Sequence, residues 1–197
     1  MRIDLDIIAR WVRRGARVLD LGCGDGTLLR YLRDQCQAQG YGLEIAEDKI
    51  VECIRAGVNV IHANLEAGLA DFGDQAFDYV IMTQTLQAVQ HSERLLDEML
   101  RVGREGIITF PNFGHWRCRF QLAVNGLMPV VGGAPERWYN TTNVHPFTLR
   151  DFEELCRRKR IHMRERALVD RAYGASLGSR LLPNWLAEVA LYRLGAG

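Results

Sequence analysis

The chain has 197 residues, 48% of them apolar and 25% charged, with a formal net charge of +1. That length suits one domain with a substantial core, and near-neutral charge leaves no overall field to gather nucleic acid or an anionic membrane. No apolar run approaches the roughly 18 residues of a membrane span, and the first residues lack a charged-then-apolar signal pattern, so a cytoplasmic protein is expected.

In chain order, Leu5, Ile8 and Val12 recur at helical spacing over 4–13, with Asp4 as the N-cap and Gly15 at the exit. Arg17–Leu21 is a short apolar run ending in GCGDG, and the stretch beyond it carries Leu28, Leu29 and Leu32 on one helical face. Strand, glycine turn and helix in that order open a doubly wound sheet. The alternation continues with strands at 41–45 and 58–62 around a helix at 47–55. Phe77–Thr83 reads as a fourth, buried parallel strand. Ser92 caps a helix over 93–102, and 106–110 is a fifth strand stopped by Pro111.

Beyond Pro111 the rhythm breaks. A helix is expected over 115–124, with Trp116, Phe120 and Ala123 or Val124 on one face and Gly126 at its exit. Residues 128–146 then form a long loop, a length that usually serves as a lid or binding segment. Thr148 caps the next helix to about 158, with Asp151 at the capping-box position and Phe147 and Phe152 as a hydrophobic staple. Strands at 161–169 and 187–194 bring the total to seven. The reading is one α/β domain over 1–197, a doubly wound, mostly parallel sheet with a helix-plus-loop insertion at 111–147.

The most informative residues run from Val18 to Gly26. Gly22, Gly24 and Gly26 permit a sharp strand-to-helix turn and let a ligand approach backbone N–H groups. A dinucleotide site has the spacing GxGxxG; here it is GxGxG, preceded by Asp20. A carboxylate there repels a diphosphate but suits a cationic amino group, which favours S-adenosylmethionine (SAM) over NAD. Glu44, 20 positions after Gly24, ends the second strand, where a carboxylate accepts hydrogen bonds from ribose hydroxyls. Asn64 and Leu65 follow the third strand. The Asn64 amide offers a donor and an acceptor to an adenine edge, or it is simply a turn residue. The five cysteines, Cys23, Cys36, Cys53, Cys118 and Cys156, contain no CxxC pair and suggest neither a disulfide framework nor a zinc site, so no metal is expected.

These residues resemble the class I SAM-dependent methyltransferase fold, a Rossmann-like architecture. Gly22, Gly24 and Gly26 match its first motif, with Asp20 before them and Cys23 between. Glu44-Ile45 matches its ribose acid and Asn64-Leu65 its adenine-side turn, although the family more often has Asp at position 64. Thr83 falls where the family places backbone around the methionine part of the ligand. More narrowly, QTLQAV (84–89), FPNFGHWR (110–117) and WYNTTNVH (138–145) resemble the MetW family of methionine biosynthesis proteins along essentially the whole chain. The resemblance implies binding of SAM or S-adenosylhomocysteine (SAH) and a role beside homoserine O-acetyltransferase, which makes O-acetylhomoserine. It brings no established methyl acceptor.

Whether methyl transfer occurs is a separate question. The fourth strand ends in TQTLQ, not the Asn/Asp-Pro-Pro-aromatic clamp of a nitrogen acceptor. His91, His115 and His145 are the candidate bases, each with a duller reading as a cap or loop residue. Trp116, Trp138, Tyr139 and Asn140 are placed to roof the site, recognise a small acceptor or anchor a protein partner. The cluster of Arg157, Arg158, Lys159, Arg160, Arg164 and Arg166 reads as a solvated edge complementing a helix C-terminus. Two readings follow. One is a SAM/SAH-binding accessory protein of the acetyltransferase; the alternative is an active methyltransferase on a small metabolite.

Overall fold

The computed structural model describes residues 3–129, 141, 144–170 and 182–195. A seven-stranded sheet runs through it in the order β3-β2-β1-β4-β5-β7-β6. Its strands are β1 (Arg17–Leu21), β2 (Gln39–Glu44), β3 (Asn59–His62), β4 (Phe77–Thr83), β5 (Gly103–Pro111), β6 (His162–Val169) and β7 (Val189–Gly195). The first five are parallel, while β7 runs antiparallel to both β5 and β6. The mostly parallel, Rossmann-like sheet expected from the sequence is therefore present, with one antiparallel hairpin at its end.

The central strands are apolar because helices cover both faces. Val18, Leu19, Leu21, Val80, Ile81, Met82, Ile107 and Ile108 are all fully buried. On one side lie α1 (Ile3–Trp11) and α2 (Thr27–Cys36), contributing Leu5, Ile8, Leu28, Leu29 and Leu32 to one core; α3 (Glu47–Arg55) adds Cys53 to it. On the other side α4 (Ser92–Val102) inserts Leu95, Leu96, Met99 and Val102. With them packs α6 (Leu149–Lys159), through Leu149, Phe152 and Cys156. Its capping box forms as expected: Thr148 Oγ1 accepts from the Asp151 N–H, and the Asp151 carboxylate accepts from the Thr148 N–H. Phe147 and Phe152 both pack on Phe110, with ring centroids 4.7 and 4.9 Å away.

One expectation is adjusted. Pro111 does not stop the fifth strand but is its last residue, opposite Val189. In α5 (Trp116–Asn125) the stripe of Trp116, Phe120 and Val124 stays in solvent, and only Cys118 is buried. A last short helix, α7 (Pro183–Leu186), precedes β7. No described helix is long and apolar enough to cross a membrane.

Candidate functional site

Strand order reverses between β1 and β4, and in an open parallel sheet that switch point leaves a crevice at the carboxyl ends of the strands. The glycine turn sits at this crevice. Gly22, Gly24 and Gly26 all have positive φ, at 73°, 56° and 74°, which only glycine adopts readily. Their surroundings differ. A Cβ on Gly22 would lie 2.8 Å from Thr85 Oγ1, and one on Gly26 would lie 3.0 Å from Val58 and 3.1 Å from Cys53 Sγ. A Cβ on Gly24 would meet nothing within 4 Å, so this residue faces open space. Gly22 and Gly26 are therefore required by packing, whereas Gly24 borders open space.

Glu44 fixes the turn. One carboxylate oxygen accepts from the Gly24 N–H at 2.8 Å; the other accepts from the Ile45 and Ala46 N–H groups at 2.8 and 3.0 Å. Two oxygens offer about four acceptor positions, so capacity remains for a ribose hydroxyl. Ile45 itself is exposed and contributes only backbone. Removing the Glu44 carboxylate takes away the anchor of the turn together with the acceptor expected to face a ribose. Glu44→Ala is expected to weaken SAM binding about tenfold or more, and calorimetric affinity within twofold of wild type would refute the ribose role.

Asp20 is the unusual residue. Its carboxylate is fully buried at the end of β1, and both oxygens lack any hydrogen-bond partner. Burial above all, and then the charge of Glu44, lifts its carboxyl to about 7. A buried polar group without partners costs roughly 1–3 kcal/mol, so an orphaned carboxylate beside an open glycine turn fits a site completed by a cationic ligand.

The other expected ligand residues are placed as follows. Cys23 turns its thiol into the core, 3.8 Å from Cys53 Sγ, and occupies the place a Cβ on Gly42 would take. Burial pushes both thiols up, which makes them inert packing groups. All five cysteines are free. Asn64 caps a 3₁₀ turn at Leu65–Ala67, its Oδ1 accepting from the Glu66 N–H at 3.0 Å; the turn role is thus in use. Thr83 ends β4 opposite Thr109.

Two of the three candidate bases are engaged in local hydrogen bonds. His115 is buried as the N-cap of α5, its Nδ1 accepting from the Arg117 N–H. The His145 ring lies 3.0 Å from the Gln90 carbonyl, and His91 is the exposed N-cap residue of α4. Trp116 lies exposed beside His115, with the Arg117 guanidinium over its ring. Trp138, Tyr139 and Asn140 lie outside the described residues. The basic cluster is largely paired: Arg157 and Arg158 with Glu154, Lys159 with Glu93 and Asp97, Arg164 with Glu105, Arg166 with Glu153. Among the described residues no group of three His, Cys, Asp or Glu is disposed to hold a metal.

Two polar residues that matter were not singled out from the sequence. Thr85 donates its hydroxyl across to the Leu21 carbonyl at 3.0 Å. Asn112, fully buried just after β5, makes four side-chain hydrogen bonds at the root of the insertion.

Comparison with known proteins places this geometry. Residues 2–194 match the family model described as methionine biosynthesis protein MetW. A bifunctional methionine biosynthesis protein MetXA/MetW from Rhodopirellula baltica is 35% identical over 97% of the chain, which spans 32% of that longer protein. A demethylmenaquinone methyltransferase from Listeria monocytogenes is 27% identical, over 74% of the chain and 67% of its own length. Among solved structures, a TehB-like SAM-dependent methyltransferase from Corynebacterium glutamicum superposes with a TM-score of 0.63 at 16% identity, covering 98% of this chain and 87% of that one. That likeness shows the fold.

Proposed function

This chain belongs to the MetW family of methionine biosynthesis proteins, and on that footing we propose that it is a SAM- or SAH-binding accessory protein supporting homoserine O-acetyltransferase. The observation that carries the partnership is the Rhodopirellula baltica relative, where the counterpart of this chain occupies 32% of a single polypeptide named for both MetXA and MetW. Covalent linkage raises the effective concentration of one module at another to the millimolar range. Fusion is thus favoured for modules that act together, and a separate chain obtains the same proximity through a non-covalent interface. The observation that supports the ligand is the orphaned carboxylate of Asp20 beside the open face of Gly24. Because SAM is made from methionine, a protein that reads SAM or SAH at this site is suited to end-product control.

The likeness to a demethylmenaquinone methyltransferase favours a second reading, methyl transfer to a small acceptor. The engagement of His115 and His145 in local hydrogen bonds weighs against a ready general base, although transfer by proximity alone needs none. The two readings separate in one assay. Homoserine O-acetyltransferase turnover is measured with and without this chain while SAM is titrated. The accessory reading expects the rate to depend on the chain; a rate unchanged at every SAM concentration refutes it. Release of a methylated product from labelled SAM, with turnover, establishes the second.

A further inference from the structure

We propose that Thr85 is a positioning residue for the methionine half of the ligand, its hydroxyl tying the ends of β1 and β4 together across the mouth of the crevice. The inference rests on the SAM-binding reading and deepens it.

The sheet itself leaves this job undone. Ladder pairing between β1 and β4 ends with Asp20 opposite Ile81, so the last residues of the two strands are not paired with each other. Thr85 Oγ1 fills the gap, lying 3.0 Å from the Leu21 carbonyl and 3.2 Å from the Thr83 carbonyl. One hydroxyl proton shared between the two carbonyls sets the separation of the strand ends. The chain is bent to deliver it: Gln84 takes a positive φ of 54°, unusual for a side-chain-bearing residue, while its N–H bonds the Thr109 carbonyl at 2.9 Å. The same Thr85 side chain then packs on Gly22 so closely that a Cβ there would lie 2.8 Å from Oγ1 and 3.0 Å from Cγ2. Thr85 therefore shapes the start of the glycine turn, immediately beyond the buried carboxylate of Asp20. Its partners, Leu21 and Gly22, adjoin Asp20, to which the SAM-binding reading gives the ligand ammonium; Glu44, to which that reading gives the ribose, is not among them.

This geography makes the proposal separable from general stability. Affinities for SAM, SAH and 5′-methylthioadenosine, which keeps the nucleoside and lacks the amino acid, are measured on wild type and on Thr85→Val and Thr85→Ser. The expected result is about a tenfold loss of SAM and SAH affinity in Thr85→Val, with 5′-methylthioadenosine within twofold of wild type. Thr85→Ser, which keeps the hydroxyl, should stay within about threefold for all three ligands. If the valine variant does not fold, Thr85→Ala serves the same comparison. Wild-type SAM affinity in the hydroxyl-free variant overturns the proposal, as does an equal loss for all three ligands. A folded wild-type chain that binds none of the three overturns the SAM reading itself, and this inference with it.

Discussion

Replacing Asp20 with asparagine is expected to stabilise the ligand-free chain increasingly as pH rises, and to weaken its grip on SAM. The carboxyl has an ordinary value of 3.8 and is lifted to about 7 in the fold, chiefly by burial and then by the charge of Glu44. Between those values the unfolded chain is ionised at this position and the folded chain is protonated. Folding stability attributable to Asp20 is therefore full below pH 3.8 and is lost as pH rises through about 7. At about 1.4 kcal/mol per pH unit, the whole interval amounts to about 4 kcal/mol. A neutral amide cannot ionise, so the urea midpoints of Asp20→Asn and of wild type should diverge from about pH 4 to about pH 7 and stay apart above it. The ligand reverses the ranking: SAM brings an ammonium to the carboxylate, and the asparagine variant should bind it at least about tenfold more weakly at pH 8. A pH-independent difference in stability would contradict the assignment of an orphaned acid.

The second large effect is expected at Asn112. Its Nδ2 donates to the carbonyls of Ala187 and Asn184 at 2.8 and 3.3 Å, and its Oδ1 accepts from the N–H groups of Gly114 and Leu149 at 2.9 and 3.3 Å. These partners belong to the exit of β5, the start of α6 and the α7 turn, so one side chain ties these three segments together. All four partners are backbone groups in a buried site. Asn112→Ala should cost about 3–5 kcal/mol, by analogy with other buried networks stripped of one member. Asn112→Asp keeps the shape and the acceptors but sets a carboxylate against two carbonyls, and should cost as much. Denaturant unfolding separates the causes. A loss in alanine alone points to a cavity, whereas losses in both variants identify the hydrogen bonds.

The fold was legible where its causes are local. The apolar run of β1, the glycine turn and the leucine stripe of α2 lie within one short stretch, and Thr148 with Asp151 announces a helix start in four residues. The place of Glu44 at the end of β2 was legible because the βαβ unit fixes the distance from a turn to the next strand end. What escaped the sequence depends on distant partners. The antiparallel insertion of β7 between β5 and β6 is decided by pairings as remote as Pro111 with Val189, which hydrophobic period alone does not reveal. Thr85 reaches a carbonyl 64 residues upstream, and Asn112 reaches 72 and 75 residues downstream. Cys23 and Cys53, 30 residues apart, meet only once α3 packs behind the turn. The Trp116–Phe120–Val124 stripe shows the converse: helical spacing is satisfied, yet the face stays in solvent, because period predicts a helix and not its burial.

The SAM site stands or falls with a buried, unpartnered acid that meets a cationic ligand at the glycine turn. Titration calorimetry of the folded chain with SAH at pH 6.5, in two buffers of different ionisation enthalpy, addresses it most directly. The predicted result is saturable one-to-one binding, with a buffer-dependent heat that reports release of up to one proton as Asp20 ionises, a release absent in Asp20→Asn. A saturable isotherm with the same heat in both buffers contradicts the role of Asp20, and the absence of saturation contradicts the site as a whole.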